Sequence, residues 1–366
     1  MTLSRGAIGN LVNRYRAVLR KCRMMNVFGS LAVAGMLVAG NAGFAGAEEL
    51  SGDISPISLS GDTRNIIGVG DISLRSTEPA LRYLINVSGQ GQLDISMSNG
   101  SPMAVGNADG IYLKDYSDYD QYASAFHVAG SGSSGSFVGT GTFSMVGGGK
   151  LLGVCAFLSE SKGTLTLSGD ITGEAEAVMN GSNGYASFVA AAAGGNLVFG
   201  GDRTTLRAKA STGNNANGAF VKYGGMIDFA SKSVLIESKN TDSSSVGINC
   251  ADGTVKTSAD TDLDIVVEGN KATTGIQLTA SSSDVQLAGN LDLTATQTGQ
   301  DSFASVLGIS NDSGKMVVSG PTSLRLATNA PFDAKGITAS GKADMSFLGD
   351  VEIAVTGSPS GSALYT

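Results

Sequence analysis

The sequence predicts an all-β fold, a right-handed parallel β-helix (solenoid), after a cleaved N-terminal signal segment. Three observations carry this. Segments of similar shape recur about every 30 residues. Inside each segment apolar and polar residues alternate with period two, which puts successive side chains on opposite faces of a strand. Composition argues against helices: 52 of the 366 residues are Gly, and Ser, Thr and Asn fill much of the remainder. All four are poor formers of helix interiors.

The same composition excludes other classes. Charged residues make up 15%, below the roughly 25% of an ordinary soluble domain. One His and three Cys are a poor supply for a zinc site, and no cofactor motif is present. A net charge of −8 disfavours nucleic acid, whose phosphates require clustered Lys and Arg. Gly has no three-residue period, so the chain is not collagen.

Residues 1–47 read as a signal peptide. Arg5, Arg14, Arg16, Arg20, Lys21 and Arg23 precede the first acidic residue, Glu48. An apolar stretch follows from Met24 to Gly40, and Ala45-Gly46-Ala47 supplies an A-x-A cleavage pattern. The apolar stretch is short for a bilayer span, so no transmembrane helix is expected in the mature chain. Without the signal, 18 basic residues face 32 acidic ones, a net −14.

Residues 48–366 read as one repeat array. The clearest units start at Gly247, Gly275, Gly308 and Gly336, each with Gly-Ile, a polar turn, a strand, a second turn and another strand. Phe126, Phe157, Phe188 and Phe220, spaced by 31, 31 and 32 residues, mark the matching strand in earlier units. Predicted inward sets on the second strand include Leu165/Leu167, Leu197/Phe199, Ile227/Phe229 and Met345/Phe347. On the third they include Val234/Ile236, Leu263/Ile265/Val267, Leu291/Leu293, Leu324/Leu326 and Val351/Ile353/Val355. No unit buries so few side chains alone, so neighbouring units must stack. Gly-Asp, Asp-Gly and Asn-Gly pairs mark the turns. Cys155 and Cys250, too few for a disulfide framework, read as small buried apolar residues.

A long basic signal followed by a Gly/Ser/Thr/Asn-rich, Cys-poor, Trp-free array of β units resembles the passenger region of bacterial autotransporters (type V secretion). The resemblance implies a β-helix carried to the cell surface or outer membrane by a C-terminal β-barrel. No run of ~10-residue amphipathic strands with aromatic girdles follows here. The translocator is then separate or missing, and the chain is a split passenger, an orphan secreted β-helix or a fragment without activity. The implied role is adhesion to cell-surface or matrix ligands.

Candidate chemistry is sparse. Tyr112, Tyr116, Tyr119 and Tyr122 interleave with Asp115, Asp118 and Asp120. This run reads as a recognition loop, since Tyr gives a rigid amphipathic contact surface, or as an interruption between coils. Asp260, Asp262 and Asp264 alternate, so all three fall on one face. They read as a solvated acidic stripe, or as the carboxylates of a polysaccharide lyase or hydrolase. His127, in AFHVAG, reads as an ordinary strand residue.

Overall fold

A computed structural model describes residues 47–78, 81–98, 100–107, 122–147, 153–178, 186–211, 215–299, 305–329, 334–357 and 362–365. The signal segment, apart from Ala47, lies outside the described residues. The region from Glu48 onward is a parallel β-helix, and every strand-to-strand ladder among the described residues is parallel. No helix among these residues is long and apolar enough to cross a membrane.

Each turn of the coil has three faces. The first is an 11-stranded sheet running from Ile57–Ser60 to Ser362–Tyr365. The second and third faces belong to one 17-stranded sheet. In later turns they are separate short strands, such as Gly253–Thr257 and Asp262–Gly269. In the turns containing Ser134–Gly147, Thr164–Ala177 and Asn196–Ala210 one long strand bends through the corner. Gly makes that bend possible: Gly139, Gly169 and Gly201 have φ of 136°, 116° and 95°. A Cβ on Gly169 would meet the Gly139 carbonyl, and one on Gly201 the Gly169 backbone nitrogen.

Stacking follows the predicted repeats. Leu263 pairs with Leu291 and Ile265 with Leu293, and Leu293 continues onto Leu324. The predicted inward sets are buried through Leu326. In the turn ending at Thr356, Met345, Phe347, Ile353 and Val355 are only partly buried and Val351 is 41% exposed.

Alternation breaks once per turn on the first face. Ala125 and Phe126 both lie in the inner core, as do Ala156 and Phe157. The pair ladder skips the first residue of each couple. From the turn of Gly218 to that of Gly336 that first residue is Gly, which explains the Gly-Ile signature. A Cβ on Gly247 would strike Ile265 and the Gly275 carbonyl, and one on Gly275 would strike Leu293 and the Gly308 carbonyl. The Ile that follows, 248, 276, 309 or 337, fills the core.

All four marker Phe lie on successive strands of the first face, as the spacing predicts, but not all at one register position. Phe126 and Phe157 are in register, but Phe188 pairs with Cys155 and Phe220 with Ala191. Equal spacing in sequence concealed loops of different length, so Phe188 and Phe220 belong to the outer side of the first face. Inside, Phe143, Phe157 and Phe199 form a chain of ring contacts across the core, with successive centroids 5.1 and 5.5 Å apart. Phe157 is fully buried. Phe157→Ala is therefore expected to lower stability by about 3–5 kcal/mol, measured by denaturant unfolding of the full chain. Val266→Ser, at an outward and 42% exposed position, is expected to change it by less than about 0.5 kcal/mol.

Candidate functional site

Most outward columns carry charge ladders. Glu174, Arg207 and Glu237 stack on consecutive turns, with Arg207 Nε donating to Glu237 at 2.6 Å and Nη1 to Glu174 at 3.4 Å. Lys239–Glu268 and Lys256–Asp228 repeat the arrangement at 2.9 Å. Such half-exposed pairs contribute roughly 0–1 kcal/mol each. They mainly keep the outer surface wet and in register. Two places depart from this pattern.

The first lies on the outer side of the first face. There Tyr122, Cys155, Leu158, Phe188 and Ala191 form an apolar cluster distinct from the inner core, with Tyr83 and Phe220 packed against it. Phe188 and Phe220 stack at 4.7 Å. Polar groups border it. His127 is 5% exposed; its Nε2 lies 3.0 Å from Glu160 Oε2 and its Nδ1 2.9 Å from Asn86 Oδ1. Tyr83 stacks on the imidazole at 4.0 Å, and Arg82 donates to the Tyr83 hydroxyl at 2.8 Å. Lys222 Nζ donates to the Tyr122 hydroxyl at 2.6 Å and sits 4.9, 5.6 and 4.6 Å from the Tyr122, Phe220 and Tyr223 ring centroids.

Of the Tyr/Asp run, Tyr122 is the residue that can be placed: it opens the strand Tyr122–Ala129 and is 6% exposed. Burial pushes its phenol well above the usual range, and charge on Cys155 and Glu160 adds to this. Tyr112, Asp115, Tyr116, Asp118, Tyr119 and Asp120 lie outside the described residues. His127 is a strand residue as expected, but it bridges two turns through both ring nitrogens. Sequence reasoning missed Glu160, Phe220, Lys222 and Tyr223 because the turns that bring them together are set by unequal loops.

The second place is a groove of about 590 Å³ along one corner of the coil, lined by Asp262, Asp264, Asn290, Asp292, Thr322, Asp350 and Glu352 among others. Asp262 and Asp264 are both there, as the alternation predicts. Asp260 instead precedes the strand, in the turn closed by Thr261 N–H donating to the Ser258 carbonyl. Asp264 stacks on Asp292. Partial burial, then the Asp292 and Asp262 charges, push the Asp264 carboxyl above the usual range. Arg325 donates to Asp292 at 2.9 Å, and Asn290 donates to Asp262 at 2.7 Å. No group of three or more His, Cys, Asp or Glu among the described residues is placed to hold a metal ion.

Cys155 and Cys250 are free and buried, Cys155 in the outer cluster and Cys250 in the inner core. Burial raises both thiols, Cys250 to about 11.

The chain is thus a parallel β-solenoid with an aromatic, charge-edged patch and an acidic groove. No known protein family, curated protein or solved structure matches it.

Two outcomes are expected. Both thiols resist a maleimide reagent at pH 7 in the folded protein and react once it is unfolded, because the thiolate is the nucleophile. Asp264 gains a proton more readily when folded, so its ionisation costs stability as pH rises through the folded pKa. Asp264→Asn should therefore raise the thermal midpoint slightly at pH 7. The gain should vanish below pH ~3, where the carboxyl is protonated in folded and unfolded chains alike.

Proposed function

We propose that the protein is exported and acts at the cell surface or outside the cell as a passenger-like β-helix. Its role is structural and adhesive, without enzymatic turnover. Stacked coils form a stiff support, and segments leaving the corners present contact residues. One observation carries the reading: the outer patch of aromatic rings and charges on the first face, which begins where the Tyr112–Tyr122 run ends. The cluster itself is covered, its central members being at most 7% exposed, so its contact surface is the edge, where Tyr223 stands 71% exposed beside Lys222.

The rival reading is a polysaccharide lyase or hydrolase working in the acidic groove. Asp264 favours it, because glycoside hydrolysis uses one carboxyl of raised pKa near an ionised one; the Asp264 carboxyl is shifted upward and Arg325 pairs with the neighbouring Asp292.

The adhesion reading is tested by replacing Tyr112, Tyr116 and Tyr119 with Ser and Tyr122 with Phe, which keeps the buried ring. Attachment of the full chain to cells or matrix is expected to fall at least tenfold. Unchanged attachment removes the run as the contact. The rival predicts product release from a panel of acidic and neutral polysaccharides, lost in Asp264→Asn. No product from any of them sinks the rival.

A further inference from the structure

Lys222 and Tyr223 end the outer patch in an unusual way. Lys222 is the last residue of the strand Asn215–Lys222. Many outward cations of this coil, among them Lys232, Lys239 and Lys256, meet a carboxylate on the neighbouring turn. Lys222 forms no ion pair among the described residues. Its column explains why: Glu160, Ala193 and Lys222 stack on consecutive turns, so a methyl group stands between carboxylate and ammonium. The two Cα positions are then about 9.6 Å apart, two strand spacings. Glu160 is meanwhile engaged by His127 at 3.0 Å. The ammonium has three donors and gives one to the Tyr122 hydroxyl.

Tyr223 follows directly, 71% exposed, the single aromatic among the large apolar side chains that stand out to solvent in the described residues. Its φ is 57°, a region in which a bulky residue is a rare outlier. In the preceding turn, Gly194 occupies the same corner at φ 73° and donates its N–H to the Lys222 carbonyl. Tyr at this corner thus brings backbone strain that Gly would avoid. What it adds is a ring held in solvent, with one side near Lys222 Nζ at 4.6 Å.

An ammonium held by aromatic rings and a phenol but by no carboxylate, beside an exposed aromatic ring, fits a ligand with a negative group next to a C–H-rich face. We propose that Lys222 and Tyr223 form a binding subsite for carboxylate-bearing sugars, either uronates or sialates. Lys222 takes the carboxylate by a charge-assisted hydrogen bond, and Tyr223 stacks on the sugar ring. The net −14 of the mature chain offers an anionic sugar no long-range steering, so recognition depends on contact. This inference names the partner class of the adhesion reading and rests on it.

The test measures binding of the full chain to immobilised oligogalacturonate and 3′-sialyllactose, with cellotetraose and lactose as neutral controls. Binding to at least one acidic glycan and to neither neutral one is expected, and the two acidic arms tell uronate from sialate. Lys222→Met should weaken it by about 10- to 100-fold, the range of a charge-assisted hydrogen bond, while Lys222→Arg retains most of it. Tyr223→Gly should weaken binding without lowering the thermal midpoint, because Gly adopts positive φ freely. Equal binding of acidic and neutral glycans, no binding of either, or no effect of Lys222→Met overturns the subsite. Cell attachment is scored in parallel. If Lys222→Met leaves attachment intact, the subsite fails and adhesion stands. If the variant loses acidic-glycan binding in a protein that never attaches to cells, adhesion fails and the subsite stands.

Discussion

In-register stacking of parallel strands, about 4.8 Å apart, is the constraint on which the rest of this molecule depends. Each side chain rests on the residue at the same position one turn away. An inward Leu263 needs Leu291, which needs Thr322 and its neighbours. A column therefore favours residues that suit their neighbours: mostly apolar side chains inside, and in several outward columns opposite charges in succession. It also dictates where side chains must be missing. The Gly column from 218 to 336 exists because a Cβ there would collide with a neighbouring carbonyl and, through most of the column, with the third-face side chain too.

Two places break that rule. On the first face between Tyr83 and Phe220, rings replace ions on the outside. In the groove, carboxylates succeed one another at Asp264 and Asp292 instead of alternating with cations, and Arg325 compensates only part of that charge. In the first, the rings are themselves buried, forming a second apolar cluster outside the coil's inner core. The second costs repulsion, visible in the raised Asp264 carboxyl. Neither is required to close the coil, since columns such as Glu174–Arg207–Glu237 do so without either.

Much of the fold was legible because period-two alternation and a near-constant unit length are direct images of strand and stack. Leu291/Leu293 and Leu324/Leu326 could be assigned to the interior from sequence alone, and they are buried. Phe188 and Phe220 fall on the strands that the spacing predicts, but their register and their outward side were not legible. The kink at Ala125–Phe126 shifts parity, its Gly-Ile mark is absent from the turns of Phe126, Phe157 and Phe188, and loop lengths between strands compensate in the total. The acidic stripe was half legible: Asp262 and Asp264 share a strand face, while Asp260 falls in the turn before it. Contacts between turns, such as His127 with Glu160 or Lys222 with Tyr122, depend on register across loops and lay beyond a one-dimensional reading.

The register also sets how the chain comes together. Val234 pairs with Leu263 and Leu263 with Leu291, and even the longer step from Ile85 to Phe126 links only neighbouring turns, so the chain bridges a short distance along itself each time. Loop closure grows only slowly with length, which makes the entropic cost nearly the same for each added turn. A turn needs only the one before it as a template, and both thiols are free, so no cross-link among the described residues must wait for a distant partner. A chain that emerges gradually from one end can therefore wind up behind itself, each new coil held by the last.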